Sequence, residues 1–370
     1  MKTFSNSGIS TNLGSNSERP SSVRILVAAS GTGGHLFPAL AIAQALAEYQ
    51  IEWLGVPNRL ETRLVPSEYP LHTVNIEGLQ QGFSYTAIPV LGKLAGTVWQ
   101  VRRLLHQGKF QGVLTTGGYI AAPAIIAARS LGLPTLLHDS NALPGKVTRW
   151  LSPWCSAVAL GFETAAQYLP KAKTFYVGTP VRASFLQDCP FDLPIPEEAL
   201  LIVVVGGSQG AVAVNRLVRE SAPHWLKTGA WIVHLTGESD PDVRTLQHPC
   251  YLSMPFYHNM AGLLKRANLA ISRAGAGTLA ELAVTGTPAI LIPYPYAAED
   301  HQAYNAAAWA AVGAAQVFRE ADLTEELLET RVLDLMRSPA VLQKMSESAK
   351  SLAITDSTEH LAELVRQLIR

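Results

Sequence analysis

Short apolar runs alternate with longer segments of helical periodicity from residue 23 to the end of the chain. An apolar run bounded by turn residues is typical of a buried parallel strand, and a period of 3.6 residues is typical of a helix. In the first half, strands are predicted at residues 23–28, 51–56, 112–115, 135–138 and 158–160, and the first helix at 38–49. This alternation predicts a parallel α/β fold.

The same opening recurs in the second half of the chain. A strand predicted at residues 200–205 leads into a glycine-rich loop and a helix at 211–225. Further strands are predicted at 231–235, 269–272 and 289–292, and a last helix at 357–369. Two strand–loop–helix openings predict two Rossmann-like domains. Because ligands of open α/β sheets bind beyond the carboxyl ends of the strands, we expect the site in a cleft between the two sheets.

The composition of two segments indicates where the domains begin and end. Residues 1–22 are rich in Ser, Asn, Thr and Gly and contain no apolar run, so we expect a disordered tail and not a signal peptide. The segment GTPVR at residues 178–182 follows an apolar strand and is a plausible hinge. We therefore place the first domain at 23–180 and the second at 181–353, with a C-terminal helix over 354–370.

The net charge limits the classes of partner that the protein can bind, and the cysteine content indicates its redox compartment. The formal net charge of +0 argues against nucleic acid, although residues 23–180 carry 12 Lys/Arg and 7 Asp/Glu while residues 181–370 carry 15 and 21. A basic first half fits an anionic partner such as a membrane surface, and solvated surface charge explains it equally well. No stretch reaches the about 18 apolar residues of a membrane span. Cys155, Cys189 and Cys250 lack disulfide or zinc spacing, which fits a reducing cytoplasm.

The first candidate loop is SGTGGH at residues 30–35, directly after the first predicted strand. Its glycines allow close approach of the backbone to a phosphate, and His35 is a candidate acid or base, with capping or packing as its alternative role. A dinucleotide-binding reading gains support from Glu52, which lies about 20 residues on. The spacing is not GxGxxG, however, since Leu36 occupies the place of the third glycine.

Four further loops follow predicted strands. Two of them open a helix, namely GGSQG at residues 206–210 and the segment 272–281. A tight strand-to-helix turn or a helix cap would explain each of these two loops without a ligand. In the second segment Arg273 offers a charge, residues 276–278 offer amides, and Glu281 is placed on the first helical turn. Asn141 follows another strand, and Gln302 and Asn305 share a helix face, so both can reach one ligand unless that face is merely solvated.

Metal-ligand spacing is absent from the sequence. Asp240 and Asp242 read Asp-Pro-Asp and lie in a polar stretch where solvated charge is the expected state. We therefore expect no metal and no cofactor.

Taken together and in this order, the loops resemble the MurG family, the peptidoglycan glycosyltransferases that convert lipid I to lipid II. The resemblance covers nearly the whole chain from Val23 onward and rests on GTGGH, HxxN, GxPVR, GGSQGA, RxGAxT…E and DHQ…N. It implies the two-domain GT-B fold with an acceptor- and membrane-associating first domain, a UDP-sugar-binding second domain and a C-terminal helix that packs back on the first domain. It also implies inverting, metal-independent transfer of N-acetylglucosamine at the cytoplasmic face of the cell membrane.

The resemblance also assigns roles to positions of this chain. His35 becomes a candidate base or acceptor-positioning residue, and Asp139 a second catalytic candidate. Asp139-Ser140 and Thr179 depart from the family, which commonly has Glu-Gln and Asn at these places. The donor UDP-N-acetylglucosamine is expected at Thr32, Gly33, Gly34, Asn141, Arg182, Ser208, Tyr257, Arg273, Ala276, Gly277, Thr278, Leu279, Ala280, Glu281, Gln302 and Asn305.

Expected partners besides the donor are lipid I, the cytoplasmic membrane surface and other cell-wall synthesis proteins. Residues 76–105 mix apolar side chains with Lys93, Arg102 and Arg103, which suits a membrane-surface patch as well as an ordinary amphipathic helix. The alternatives are a GT-B enzyme acting on diacylglycerol, a UDP-N-acetylglucosamine epimerase, a nucleotide-sugar sensor and a nicotinamide oxidoreductase.

Overall fold

The computed structural model describes residues 23–76, 87–206 and 211–369, with the backbone alone for residues 87–91, and its strands form two parallel sheets. The strands of the first sheet are β1 Arg24–Ala28, β2 Gln50–Gly55, β3 Leu71–Thr73, β4 Gly112–Thr115, β5 Thr135–Asp139, β6 Ala157–Leu160 and β7 Thr174–Tyr176. They lie in the order β3-β2-β1-β4-β5-β6-β7. The helices of this domain are α1 Gly33–Ala45, α2 Glu61–Leu64, α3 Ala87–Gln107, α4 Ala121–Ser130 and α5 Lys146–Leu151, with 3-10 turns at Ser152–Trp154 and Glu163–Tyr168.

The second sheet has six strands, β8 Leu201–Val205, β9 Trp231–Leu235, β10 Tyr251–Met254, β11 Leu269–Ser272, β12 Ala289–Leu291 and β13 Ala315–Val317. Their order, β10-β9-β8-β11-β12-β13, is that of a Rossmann sheet. The remaining helices are α6 Ala183–Leu186, α7 Val212–Leu226, α8 Met260–Arg266, α9 Ala276–Thr285, α10 His301–Ala311, α11 Glu325–Met336, α12 Pro339–Ser351 and α13 Ser357–Leu368, with 3-10 turns at Ala298–Asp300 and Glu320–Asp322.

The last helix, α13, lies against the first domain. Leu361 and Val365 are fully buried in the same apolar cluster as Ile25 and Leu36. Tyr49 donates its hydroxyl to the carbonyl of Ile369 at 3.0 Å. The chain therefore crosses from the second domain back to the first before it ends.

The strands predicted with bounds recur in the structure with ends that shift by one residue at most, and the apolar strand expected before the hinge is β7. The strands β3, β10 and β13 were not predicted. All three lie at the edge of a sheet and have half-buried residues, so they lack the continuous apolar run of a central strand. The prediction that the first helix begins at Pro38 is wrong. Helix α1 begins at Gly33, and Pro38 lies inside it.

The second domain contains a buried polar network that includes Asp240. The expectation that Asp240 is solvated is therefore wrong. The side chain of Asp240 is fully buried and accepts hydrogen bonds from Arg219 Nη1 at 2.7 Å and Asn215 Nδ2 at 2.7 Å. Because the Asn215 amide is oriented by Asp240, its oxygen faces His234 Nε2 at 3.0 Å. His234 Nε2 must then carry the proton, and Nδ1 accepts from the Tyr251 hydroxyl at 2.7 Å.

His234 is expected to make the stability of the protein fall on acidification. Burial lowers the pKa of His234 from 6.5 to about 3, with a further lowering by Arg219. Below pH 6.5 the unfolded chain therefore takes up a proton that the folded chain refuses until pH nears 3. The free energy of unfolding should decrease by up to about 1.4 kcal/mol per pH unit in that window through this group.

Urea unfolding followed by circular dichroism at several values of pH from 7 to 4 measures this slope. His234→Gln should flatten it, while His106→Gln, at an exposed position of α3, should leave it unchanged. Equal slopes in the parent protein and His234→Gln would contradict the assignment.

Candidate active site

The glycine loops lie where parallel strands end and helices begin. The loop after β1 opens α1, the loop after β8 opens α7, and the loop after β11 opens α9. Helix α10, which carries Gln302 and Asn305, follows β12. Residues 207–210 lie outside the described part of the chain, so the role expected for Ser208 stays a prediction.

His35 lies on the first turn of α1 and is held against the exit of β4. Its Nδ1 is 2.7 Å from the carbonyl oxygen of Thr116, and Thr116 Oγ1 donates back to the His35 carbonyl at 2.9 Å. A carbonyl only accepts, so Nδ1 carries the proton and Nε2 keeps its lone pair. Burial lowers the pKa of His35, against opposing effects of the Thr116 hydrogen bond and Asp139. The ring is thus a neutral base at pH 7.

Gly117 and Gly118 leave room for the His35 ring. Both have positive φ, +90° and +74°, and a Cβ on Gly118 would lie 3.6 Å from His35 Nε2. Thr32 and Gly34 are exposed beside the ring at the start of α1. A Cβ on Gly33 would lie 2.8 Å from the ring of Phe37. The start of α1 is thus exposed at Thr32 and Gly34, and helix N-termini of this kind bind phosphates through their first amides.

Asp139 does not face the cleft as a free carboxylate, and the catalytic role considered for it has no support in this geometry. It is 5% exposed. Oδ1 accepts from the Asn141 amide at 3.1 Å, and Oδ2 accepts from Thr148 Oγ1 at 2.6 Å and the Gly145 amide at 3.1 Å. Asp139 organises the loop between β5 and α5.

Asn141 and Asn305 meet across the cleft. Asn305 is fully buried, and its Nδ2 donates to Asn141 Oδ1 at 3.1 Å and to the Ala274 carbonyl at 3.1 Å. Its Oδ1 accepts from the Ala142 amide at 2.8 Å. Gln302 Oε1 accepts from the amides of Ala274 at 3.1 Å and Tyr294 at 2.9 Å. Both ends of the Asn305 amide are engaged by protein, so its contact with a sugar requires an exchange of partners, whereas Gln302 is engaged through its oxygen.

Arg182 and Glu281, both expected to contact the donor, form an ion pair with Nη2 and Oε1 2.9 Å apart. The Arg182 guanidinium also lies 5.3 Å from the centre of the Phe37 ring, which links α1 to α9. Burial raises the pKa of Glu281, and Arg182 opposes this. The expectation that Glu281 lies on the first turn is wrong. Since α9 begins at Ala276, Glu281 lies on the second turn.

Arg273 and Tyr257, both expected at the donor, have side chains that are bound within the second domain. Arg273 donates to the carbonyls of Ile292 at 3.2 Å and Pro293 at 3.3 Å, and it pairs with Glu320. Tyr257 is buried and donates its hydroxyl to Asp192.

The start of α9 offers mainly backbone. Gly275 is its N-cap, and a Cβ on Gly275 or Gly277 would meet nothing within 4 Å. Leu279 is 1% exposed and packs in the core. Gly275, Gly277, Thr278 and Ala280 are half-buried, whereas Ala276 is buried.

Glu52 does not serve a nucleotide ribose. It lies within β2 and pairs with Arg24 and with His72, whose Nε2 is 2.6 Å from Glu52 Oε2. A dinucleotide site needs this carboxylate free at the carboxyl end of the strand. The oxidoreductase reading thereby loses its main support.

Glu61, Arg149 and Glu299 carry contacts that no sequence motif indicated. Glu61 is fully buried beside Ser30 and Gly31. Arg149 on α5 donates to Glu299 of the second domain at the rim of the cleft. Glu299 has a positive φ of 52°, a conformation that side chains rarely adopt and that only tertiary contacts reveal.

Within the described ranges, no group of three or more His, Cys, Asp or Glu is placed to hold a metal ion. The same residues include no helix long and apolar enough to cross a membrane.

Comparison with known proteins identifies the family. Residues 25–160 match the glycosyltransferase family 28 N-terminal domain, and residues 201–361 match the glycosyltransferase family 28 C-terminal domain. The crystal structure of MurG from Acinetobacter baumannii is 30% identical, with a TM-score of 0.77 over 93% of this chain and 99% of that chain. This chain belongs to the MurG family.

Other relatives agree with this assignment. A protein of Nostoc punctiforme is 63% identical over 94% of this chain and 98% of its own length. It is named UDP-N-acetylglucosamine--N-acetylmuramyl-(pentapeptide) pyrophosphoryl-undecaprenol N-acetylglucosamine transferase. A protein of Nostoc sp. PCC 7120 with the same name is 62% identical over 94% of this chain and 98% of its own length. The MurG-family chain thus has the GT-B fold and is a hexosyltransferase that uses a UDP-sugar.

A solved structure described as a UDP-N-acetylglucosamine 2-epimerase from Listeria monocytogenes has a TM-score of 0.67 but is 12% identical, over 93% of this chain and 96% of that chain. At this identity it shares the fold alone with the MurG-family chain.

Proposed function

We propose that the protein transfers N-acetylglucosamine from UDP-N-acetylglucosamine to N-acetylmuramyl-(pentapeptide) pyrophosphoryl-undecaprenol, which is lipid I, and so makes lipid II for peptidoglycan. The observation that carries this proposal is the 63% identity, over 94% of the chain, to a relative named for that reaction. The site supports it with a neutral histidine and accessible helix starts at the ends of both sheets.

His35 is the proposed general base. Its unprotonated Nε2 takes the proton of the C4 hydroxyl of the N-acetylmuramyl group as that oxygen attacks C1 of the donor sugar. The bond from C1 to the UDP oxygen breaks on the opposite face, so the anomeric configuration inverts. A base of lowered pKa is unprotonated at neutral pH, which suits this role.

The leaving diphosphate is proposed to lie between the two helix starts. The amides at the start of α1 (Thr32, Gly33, Gly34) and of α9 (Ala276, Gly277, Thr278) supply hydrogen bonds, and Arg182 supplies positive charge. Such fixed donors stabilise developing negative charge, which supports transfer without a metal ion. Glu281 is the proposed partner of the ribose and exchanges part of its contact with Arg182 for the hydroxyls.

Gln302 and Asn305 are the proposed sugar contacts. Asn305 holds Asn141 and Ala142 of the first domain, so the donor sugar takes the place of these partners and the domains separate slightly as it enters. Each lost cross-domain bond is replaced by one to a sugar hydroxyl, which keeps the net cost small.

A location on the cytoplasmic face of the cell membrane is proposed from the surface of α3. Trp99 is 60% exposed, and the Arg103 guanidinium lies 5.7 Å from the centre of its ring. Arg102 is exposed beside them. An exposed aromatic ring with cations suits the interface of an anionic bilayer. Leu79, Phe83 and Tyr85, expected in the same patch, lie outside the described residues. Other cell-wall synthesis proteins stay predicted partners.

Purified protein incubated with UDP-N-acetylglucosamine and a short-chain lipid I analogue should release UDP and form the disaccharide product, with the same rate in EDTA. UDP release and product are measured together. Transfer to diacylglycerol but not to lipid I would reject the acceptor, and return of free N-acetylmannosamine would indicate an epimerase. Binding of the donor without UDP release would indicate a sensor. Loss of transfer in EDTA would reject the metal-independent mechanism.

A further inference from the structure

Glu61 is a buried carboxylate for which the reaction described above has no use. It is the first residue of α2 and is 0% exposed. An ionised group in such a place is stable only when hydrogen bonds compensate its lost hydration. Oε1 accepts from Ser30 Oγ at 2.5 Å and from the Val56 amide at 2.7 Å, and Oε2 accepts from the Gly31 amide at 3.3 Å.

Two of these three donors belong to the turn that leads into α1. Ser30 and Gly31 directly precede Thr32, the N-cap of that helix. Gly31 has a φ of +102°, so the turn depends on a backbone conformation that few residues adopt. The Val56 amide ties the same carboxylate to the exit of β2. Glu61 therefore fixes the turn relative to the neighbouring strand.

The packing around Glu61 leaves it little freedom. A Cβ on Gly55 would lie 2.6 Å from Glu61 Cγ, so the glycine at the end of β2 makes room for the carboxylate. On the other side of the turn, Thr116 at the exit of β4 holds His35 by two hydrogen bonds. The start of α1 is thus held from both neighbouring strand exits, by Glu61 on one side and Thr116 on the other.

We infer that Glu61 is a positioning residue for the transfer reaction: through Ser30 and Gly31 it sets the place at which the start of α1 and His35 face the cleft. This inference rests on the proposed function for its kinetic consequences. Since the ribose is proposed to be held by the second domain and the diphosphate by both helix starts, loss of Glu61 should impair the chemical step far more than it weakens UDP binding.

Glu61→Gln is the main test variant. An amide keeps one oxygen for Ser30 and Val56 but places an NH2 group against the Gly31 amide, so two donors face each other. We expect kcat to fall by about tenfold to a hundredfold, because small displacements of reacting groups have effects of that size. KM for UDP-N-acetylglucosamine and the dissociation constant of UDP measured by calorimetry should change much less than kcat does.

Glu52→Gln is the matched control. It removes the charge of another Glu of the first domain that is paired within the fold, but it does not touch the loop before α1. Its kcat should equal that of the parent protein even where its thermal unfolding midpoint falls as far as that of Glu61→Gln. A kcat loss that follows thermal stability equally in both variants would overturn the positioning role.

A readout that does not need turnover is the titration of His35, followed by NMR of its ring protons. Burial lowers the pKa of His35 in the intact site. If the turn loosens in Glu61→Gln, water reaches the ring and this pKa should rise toward 6.5, whereas Glu52→Gln should leave it in place. An unchanged His35 titration with unchanged kcat would refute the inference.

Ser30→Ala provides a second route if Glu61→Gln does not fold. It deletes one donor to Glu61 and should change kcat and the His35 titration in the same direction by a smaller amount. The double variant should lose less than the product of the two single losses, because both act through one contact. Independent effects would contradict the coupling. If the parent protein shows no transfer at all, the proposed function fails, while the His35 titration still decides whether Glu61 positions α1.

Discussion

Replacing His35 by alanine is expected to lower kcat for N-acetylglucosamine transfer by about 10²–10⁴-fold, the usual contribution of a general base. The variant loses the only group proposed to accept the proton of the acceptor hydroxyl. KM for UDP-N-acetylglucosamine should change little, since the His35 side chain is not among the proposed donor contacts. Steady-state kinetics of UDP release, with the donor dissociation constant from calorimetry, measure both quantities.

His35→Gln separates basicity from position. Glutamine keeps an N–H for the Thr116 carbonyl but has no basic nitrogen, so it should be as inactive as alanine. Activity retained in His35→Gln would show that the side chain positions the acceptor and that another group takes the proton.

The pH profile of kcat gives a third criterion for His35. Protonation removes the base, and the lowered pKa of His35 places the acid limb of the profile below 6.5. Activity should therefore persist as the pH falls to that value and decline beneath it. Residual activity of His35→Ala should lack this limb.

Arg219→Met is expected to lower the free energy of unfolding by about 3–5 kcal/mol, the usual effect of removing one partner of a buried ion pair. Arg219 and Asp240 are 6% and 0% exposed in their side chains, so Asp240 would remain charged in a dry site. Burial raises the pKa of Asp240, but hydrogen bonds from Arg219, Asp242 and Asn215 hold it below its ordinary 3.8. Urea unfolding at pH 7 measures the loss.

The double variant Arg219→Met/Asp240→Asn tests the cause. It removes both charges and keeps an oxygen for the Asn215 amide, so it should recover part of the stability lost in Arg219→Met. Single and double variants of equal stability would show that packing of the long Arg219 side chain, and not the unpaired charge, is what matters.

The ion pair of Arg219 and Asp240 should also make the free energy of unfolding sensitive to acid. Its contribution is complete above about pH 4 and disappears as the pH falls through the lowered pKa of Asp240.

The central strands and the glycine loops could be read from the sequence because both are local patterns. A run such as residues 201–205 is buried on both faces and is apolar throughout, and the loops lie where such runs end. The edge strands β3, β10 and β13 could not be read in this way. Their half-buried residues carry no continuous apolar signal, and only pairing with a neighbour makes them strands.

The sequence by itself determined the fold, the family and the strand ends after which the glycine loops occur. Tertiary structure alone decided what each polar group does there. Asp139 was a catalytic candidate and Arg273 a donor-binding candidate, but the structure engages both within their own domains. Glu61, which no motif marked, holds the loop before α1. The tautomer of His35 is fixed by its hydrogen bond to the carbonyl oxygen of Thr116, which lies 81 positions away in the sequence. Periodicity encodes which face of an element is buried, but a hydrogen bond joins atoms that come together only after distant segments have packed.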